Sequence, residues 1–279
     1  MPLSRRSTLQ AVALVSVSLG LFSPLLALAA GIDPALQTLI KGSQRSTANS
    51  VRDPYRNPGE VLTFFGVRPD SVVVEILPGA GGYWTEILGP YLKEKGRYIA
   101  ANGEKASTSA EVQKDNAALA AKLTADPADY SKVEVTEFAG DKHAIAPAGS
   151  ADFVLTFRNI HNWMASGTTS NAFAAFYKAL KPGGFLGVEE HRGKPGDPQD
   201  PLAKSGYVRQ DVAIGFAEAA GFKFIGSSEV NANPKDTKDY PAGVWTLPPT
   251  YKLGPQDHAN YEAIGESDRF ILKFQKPAP

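Results

Sequence analysis

Residues with a spacing suited to ligand binding follow an apolar run early in the chain. The run over residues 72–77 contains the carboxylate Glu75, and Gly79 and Gly81 follow it before a helical pattern begins. Such a run is typical of a buried parallel strand. Glycines just beyond a strand let the backbone turn sharply and approach a ligand closely. The spacing predicts a nucleotide site of the doubly wound type, and a glycine turn without a ligand is the alternative.

A second candidate is His161, which lies among polar residues directly after the fourth predicted strand. Ligands of doubly wound sheets bind beyond the carboxyl ends of the strands, so this position adjoins the predicted pocket. A neutral imidazole near pH 7 can remove a proton from an acceptor. The alternative is a histidine that caps the strand end and orders Arg158 or Asn159.

The fifth predicted strand ends in two carboxylates and an imidazole, Glu189, Glu190 and His191. These groups could contact an acceptor, and together with His161 they could form a mixed metal site. Their spacing is not a recognised metal motif. We therefore interpret them as a polar strand end, predict no metal ligand, and keep a metal-assisted enzyme using His161 and His191 as an alternative.

The glycine motif itself separates two classes of nucleotide-binding protein. The third position of a dinucleotide fingerprint must be small, and here it is Trp84, which argues against a nicotinamide dehydrogenase. The pattern Glu75-x-Leu77-x-Gly79-x-Gly81 resembles the E/D-x-G-x-G-x-G of class I S-adenosylmethionine-dependent methyltransferases. It departs from that pattern at Leu77, which occupies the first glycine position.

This resemblance implies an α/β fold, the Rossmann-like class I methyltransferase fold, with a mostly parallel doubly wound sheet, an antiparallel last strand and strand order 3-2-1-4-5-7-6. It implies S-adenosylmethionine as cofactor and a small-molecule methyl acceptor. The cofactor-binding residues it implies are Glu75, Gly79, Gly81, Asn102, Asp141 and Arg158. Asn102 stands where the family has an acidic residue that binds the ribose, and the alternative is that Asn102 belongs to an ordinary Asn-Gly turn. For Asp141 the alternative is an aspartate that caps its own backbone in a turn.

His161 and Trp163 resemble the H-D-W segment of O-methyltransferases, whose histidine takes a proton from the acceptor hydroxyl; Asn162 replaces the aspartate. The acceptor side would be shaped by Tyr55, Trp84, Trp163 and His191. Segments 52–58, 158–163, 179–184 and 233–236 together resemble a narrower group, exported bacterial proteins described as predicted methyltransferases. This narrower resemblance implies no substrate.

Alternating patterns organise the chain after residue 58. We predict strands over residues 71–77, 97–101, 133–138, 151–157, 185–189, 222–230 and 268–274. Helices are predicted over residues 33–40, 59–67, 83–92, 109–123, 170–180 and 209–220, with loops over 52–58 and 231–265. The last two strands should pair antiparallel, because no crossover helix is evident between them.

The chain begins with the pattern of an export signal. Arg5 and Arg6 precede an uncharged apolar stretch over residues 11–28, and the A-x-A sequence at residues 27–29 predicts cleavage after Ala29. The two arginines partly match a twin-arginine signal, and an ordinary Sec signal or an uncleaved anchor are the alternatives. We expect a signal peptide over residues 1–29, an N-terminal extension over 30–58, and a methyltransferase-like domain over 59–279 in a periplasmic or secreted protein.

Composition limits the remaining functions. The chain has no cysteine, which excludes disulfides, thiolate catalysis and cysteine-based metal sites. It has no basic run that would indicate nucleic acid, and we expect no stable membrane insertion after cleavage. The expected activity is methyl transfer to an oxygen or nitrogen of a small molecule. The alternative is a non-catalytic periplasmic protein that binds a small ligand on the same fold.

Overall fold

The centre of the protein is a seven-stranded sheet, seen in a computed structural model that describes residue 1, residues 31–139 and residues 144–278. In chain order, the strands are β1 (Val72–Ile76), β2 (Arg97–Gly103), β3 (Glu134–Phe138), β4 (Ala151–Phe157), β5 (Leu180–His191), β6 (Lys223–Ser228) and β7 (Arg269–Gln275). Their spatial order is β3-β2-β1-β4-β5-β7-β6. The first five strands pair in parallel, and β7 runs antiparallel to both β5 and β6. This arrangement confirms the predicted fold class and strand order.

Helices surround the sheet. The described α-helices are α1 (Pro34–Ile40), α2 (Thr47–Ser50), α3 (Asp53–Arg56), α4 (Pro58–Phe65), α5 (Thr85–Leu92), α6 (Ala110–Ala125), α7 (Pro127–Tyr130), α8 (Ile160–Ser166), α9 (Thr169–Ala179), α10 (Gln210–Ala219) and α11 (His258–Ile264). A 3-10 helix spans Gly243–Thr246.

The sheet separates two hydrophobic cores because successive side chains of a strand point to opposite faces. Val74 and Ile76 of β1 join the core under α8, α9 and α10, whereas Val73 joins the core under α1, α4 and α5. Both faces of the central strands are therefore buried, which explains their nearly continuous apolar sequence.

The structure contains two α-helices, α3 and α11, within segments that the sequence predicted as loops, and it contains α8 in a segment for which no element was predicted. Pro54 lies in the first turn of α3, where the missing N–H of a proline costs nothing, so a proline-rich segment could still be helical. The predicted loop over residues 231–265 likewise contains α11 and the 3-10 helix. Such short helices are stabilised by tertiary contacts more than by propensity.

The segment before α4 is anchored to the sheet domain by buried ion pairs. The Arg45 guanidinium lies 2.9 Å from Asp53 and 3.3 Å from Glu86, and Glu86 also pairs with Lys122 at 2.5 Å. The residues from Gly31 onward form one compact unit. This anchoring places α3 beside the carboxyl ends of the strands.

Among the described residues, we find no helix that is both long enough and apolar enough to cross a membrane.

Candidate functional site

A cavity of about 620 Å³ opens at the carboxyl ends of the parallel strands. Its wall includes Gly79 beyond β1, Asn102 of β2, Arg158 beyond β4 and His191 of β5. The sheet changes winding direction between β1 and β4, so this is the crevice where doubly wound folds bind ligands.

Two turns with unusual backbone angles shape the cavity. Leu77 has a φ of 51° and Arg158 a φ of 60°, and each lies just after a central strand. A left-handed conformation costs a residue with a side chain about 1–2 kcal/mol. Leu77 thus adopts a backbone conformation that a glycine would adopt freely. Such strain clusters at ligand sites.

Gly79 is the glycine that contributes to the wall. Its φ is 70°, and a Cβ added there would have no heavy atom of the described residues within 4 Å. The backbone at this point therefore faces open space that a ligand could occupy. Gly81 does not line the cavity, and a Cβ there would lie 3.5 Å from the Asn49 side chain.

The side of the cavity next to β2 is acidic. Asn102 lies there with Glu111 and Asp115, which are four residues apart on α6 and share one face of that helix. Burial raises the pKa of Asp115, and the neighbouring charge of Glu111 raises it further. Sequence analysis missed both carboxylates, although their spacing on an otherwise alanine-rich helix was a usable signal.

The side of the cavity next to β5 contains a buried histidine–carboxylate pair. His161 of α8 lines the cavity, and its Nδ1 lies 3.0 Å from Oε1 of the fully buried Glu190. A carboxylate accepts hydrogen bonds, so we assign the ring proton to Nδ1 and the free lone pair to Nε2. This tautomer is the one that histidine general bases use when a carboxylate orients them.

Glu190 accepts three hydrogen bonds, two from His161 and one from His191. Its Oε2 accepts the His161 backbone N–H at 3.2 Å, and its Oε1 accepts the His191 backbone N–H at 2.8 Å. These bonds fix the carboxylate, which in turn fixes the imidazole. The polar end of β5 therefore has a positioning role toward His161.

His191 is a neutral partner in this region. Its ring centroid lies 5.5 Å from that of His161, and its Nδ1 lies 2.5 Å from Ser267 Oγ. Burial lowers the pKa of His191 well below its usual range, and the charges of nearby Arg158 and Arg269 lower it further. His191 therefore stays uncharged at neutral pH.

The same groups could in principle surround a metal ion. His161, Glu190 and His191 each offer one ligand atom, and these atoms lie within 4.8 Å of one another. The carboxylate already accepts three N–H groups, however, and positively charged arginines adjoin His191. Both features oppose a cation, so the geometry favours a hydrogen-bonded base.

An arginine-rich group of side chains forms the next part of the site, and we call it the arginine cluster. Its members are Arg52, Arg56, Arg158, Arg269, Glu189 and Glu266. Glu266 lies at its centre, 2.5 Å from Arg52 and 2.8 Å from Arg269. Burial alone would raise the pKa of Glu266, but the charges of Arg269, Arg56 and Arg52 hold it well below its usual range.

Glu75 does not line the cavity, contrary to the role expected from the motif. It lies on the same face of β1 as Val73, is buried, and accepts a short hydrogen bond from the Tyr98 hydroxyl. Burial raises the pKa of Glu75 to about 7, although the Tyr98 hydrogen bond, Arg158 and Arg56 lower it. Its place is behind the glycine turn.

Three aromatic residues predicted on the acceptor side also lie elsewhere. Trp84 stacks on Phe157 with ring centroids 4.3 Å apart in one core, and Trp163 packs in the other. Tyr55 does not line this cavity and is 41% exposed. A large aromatic side chain is stabilised by burial in a hydrophobic core. The sequence pattern around a tryptophan does not show whether its ring packs in the core or lines a ligand site. Asp141 lies outside the described residues.

Residues from the long loop before β7 complete the wall, and sequence analysis missed them. Trp245 packs edge-on against His161, with ring centroids 5.8 Å apart, and Glu266 and Ser267 follow on the next segment. The one sequence signal for this part of the wall was Trp245, a tryptophan within a loop rich in proline and glycine. Loops that a rigid scaffold positions often contain binding residues.

Comparisons with known proteins identify the fold. No protein-family profile and no curated protein matches the chain. A SAM-dependent methyltransferase from Aquifex aeolicus is 16% identical over 86% of this chain and 98% of its own, with a TM-score of 0.54. The [4+2]-cyclase SpnF is 14% identical over 88% of this chain and 92% of its own, with a TM-score of 0.55.

A third structure is phosphoethanolamine N-methyltransferase 2 from Haemonchus contortus in complex with S-adenosyl-L-methionine. It is 14% identical over 87% of this chain and 56% of its own, with a TM-score of 0.53. Identities this low establish architecture only, and the cyclase illustrates that one fold serves different reactions. The chain therefore has the mixed α/β, Rossmann-like fold of the class I methyltransferases.

Proposed function

We propose that this protein is an S-adenosylmethionine-dependent methyltransferase that acts on an oxygen or nitrogen of a small molecule. The observation that carries this proposal is the Glu190–His161 pair, which holds an imidazole in the ligand crevice of a class I fold. A glycine turn on one side of the crevice and an oriented base on the other are the two parts that methyl transfer with proton removal requires.

The residues around the β1 and β2 ends fit the cofactor. The cavity volume of about 620 Å³ is within the range of roughly 300–1,000 Å³ that small-ligand sites occupy. Gly79 presents its backbone to open space, and Asn102 offers an amide beside two carboxylates, Glu111 and Asp115, that can accept hydrogen bonds from hydroxyls. We propose that these residues hold the cofactor and that Glu75 supports the turn from behind.

When bound, S-adenosylmethionine would supply an electrophilic methyl group, whose bond to sulfur breaks with its electron pair left on sulfur as the acceptor lone pair bonds to carbon. The protein must then take the acceptor's proton. His161 Nε2 would accept it, and the carboxylate of Glu190 would stabilise the resulting imidazolium. Trp245 lies against His161 and would help to exclude water.

We also propose that the protein is exported, as the narrower group it resembles is. S-adenosylmethionine is not expected outside the cytoplasm, so a non-catalytic periplasmic binding protein is the competing function. Two observations favour that competitor: the strained Leu77 at a glycine position and the uncharged Asn102 at the end of β2. Twin-arginine export of a folded, loaded protein would reconcile the enzyme with its location.

Native mass spectrometry of protein recovered from the periplasm tests this function. We expect the mass of the protein plus S-adenosylmethionine or its demethylated product, and the bare chain mass after denaturation as the control. Bound metal without that cofactor would favour a metal-assisted enzyme. Calorimetry that detects no S-adenosylmethionine binding to the wild-type protein would refute the methyltransferase.

A further inference from the structure

The arginine cluster carries more positive than negative charge beside the cavity. It contains four guanidinium groups and two carboxylates, and the charged ends of its arginines are largely buried. Buried charges are costly unless each is paired, and the four guanidinium groups outnumber the two carboxylates even when Glu75, whose pKa Arg158 and Arg56 lower, is counted with them. An anion in the cavity would restore the balance.

Among the described residues, three donors of the cluster lack hydrogen-bond partners, and two of them belong to arginines that line the cavity; the third, Arg269 Nε, does not. Arg56 is 2% exposed, and its Nε lies 3.4 Å from Glu266 while its Nη2 contacts no acceptor in the described part of the chain. The Nε of Arg158 is also buried without a hydrogen bond, its nearest carboxylate oxygen being that of Glu189 at 3.7 Å. Both arginines line the cavity. A buried donor left unsatisfied is destabilising, and a ligand oxygen would remove that cost.

The two carboxylates of the cluster already accept hydrogen bonds or pair with other donors. Glu266 contacts three arginines, and Glu189 accepts from Asn231 at 2.8 Å and from Arg269 at 3.4 Å. The Arg56 guanidinium also lies over the Tyr83 ring, 4.4 Å from its centroid, which holds it in place. The Arg56 guanidinium is therefore held in a fixed place at the cavity wall.

The cluster lies on the side of the cavity that contains the histidines. Arg158 follows β4 and His191 ends β5, whereas Asn102 and the acidic face of α6 adjoin β2. Strands are about 4.8 Å apart, so β2 and β4 are separated by roughly 10 Å and β2 and β5 by roughly 15 Å. The basic and acidic parts of the wall can thus contact different molecules.

We propose that the methyl acceptor carries an oxyanion, a carboxylate or a phosphate, which the guanidinium groups of Arg56 and Arg158 bind, with Arg52 at the rim. This inference rests on the proposed methyltransferase function. Arginine suits the task because its planar fork matches two oxygens of such groups. Binding the anion there would place the rest of the acceptor near His161.

Calorimetry with inorganic phosphate and with acetate, each in the presence of saturating S-adenosylmethionine, tests the site. We expect the wild-type protein to bind at least one probe, and Arg158→Gln and Arg52→Gln to weaken that binding at least tenfold. Arg158→Lys should recover part of the affinity, because it keeps the charge without the fork. Arg97→Gln, which changes an exposed arginine paired with Glu134, is the matched control and should bind as the wild type does. Thermal melts check that each variant is folded.

The cofactor's own carboxylate is the other possible source of the anion. If Arg158→Gln weakens binding of S-adenosylmethionine but not of its decarboxylated analogue, and the cofactor abolishes probe binding, the cluster holds the cofactor and the proposal is overturned. Absence of probe binding to the wild type would overturn it as well. Probe binding without any S-adenosylmethionine binding would keep the oxyanion site and reject the methyltransferase, so the two failures are distinguishable.

Discussion

Glu190 Oε1 lies 3.0 Å from His161 Nδ1, and this contact joins the end of β5 to the first turn of α8. The carboxylate is fully buried and also accepts two backbone N–H groups, so it cannot easily turn away. The ring is consequently held in one orientation, with Nε2 as its acceptor. The first two predictions depend on this pair.

Replacing His161 with alanine should slow turnover about a hundredfold or more, the usual size of a general-base contribution. S-adenosylmethionine affinity should change little, because the imidazole is proposed to face the acceptor. The measurement is steady-state kinetics with an acceptor found by screening small carboxylates and phosphates that bear hydroxyl or amine groups. His258→Ala, on an exposed helix, is the control. A wild-type rate in His161→Ala would show that His161 is not the general base and that the protein catalyses by positioning the reactants alone.

Replacing Glu190 with glutamine should lower kcat at least tenfold with KM nearly unchanged, because an amide can donate to Nδ1 and select the wrong tautomer. The pH–rate profile should also move, since the imidazolium loses its carboxylate. Glu190→Asp should restore part of the rate. If the glutamine variant has the wild-type profile and rate, Glu190 only stabilises the fold.

Replacing Gly79 with alanine should weaken S-adenosylmethionine binding about tenfold or more, because a methyl group would enter the space in front of the turn. The positive φ adds about 1 kcal/mol of backbone strain. Gly196→Ala is a matched control, with a φ of 86° and, among the described residues, no neighbour within 4 Å of an added Cβ. It should lose similar stability without losing affinity. Calorimetry that shows equal affinity loss in both variants would contradict a cofactor role for Gly79.

Replacing Glu75 with glutamine should change how stability depends on pH. Burial raises the pKa of Glu75 from 4.5 to about 7, so the folded state binds its proton more tightly than the unfolded state does. Wild-type stability should therefore fall as pH rises from about 4.5 through 7, by up to about 3 kcal/mol. The variant lacks this titration, so its stability should fall less between pH 5 and pH 8 than the wild-type stability does. Urea unfolding at several pH values measures the difference, and parallel pH curves would contradict the assignment.

Replacing Arg5 and Arg6 together with lysine should trap precursor in the cytoplasm if export uses the twin-arginine system. Fractionation followed by immunoblotting measures the distribution. The wild-type chain under Sec inhibition is the control and should still be exported. If the double lysine variant is exported normally and only Sec inhibition stops its export, the signal peptide uses the Sec system instead.

The sequence by itself determined the sheet and the edge at which the site lies. Apolar runs over β1, β2 and β4 mark strands buried on both faces, and the glycines after β1 mark the turn. These signals are local, because they reflect burial and backbone conformation of consecutive residues. The resemblance added the strand order, which the structure confirms. His161, Asn102 and Gly79 all line the cavity for the same reason: each follows or ends a parallel strand.

Only the tertiary structure decided which side chains meet in the cavity. Arg52 reaches Glu266 across 214 residues of sequence, and no local pattern connects α3 to the segment before β7. Whether Trp84 and Trp163 lined a ligand or filled a core depended on the helices that pack against them. Electrostatic roles were equally hidden. The burial that makes Glu75 titrate near neutrality, and the charges of Arg56 and Arg52 that add to that of Arg269 in lowering the pKa of Glu266, come from residues far away along the chain.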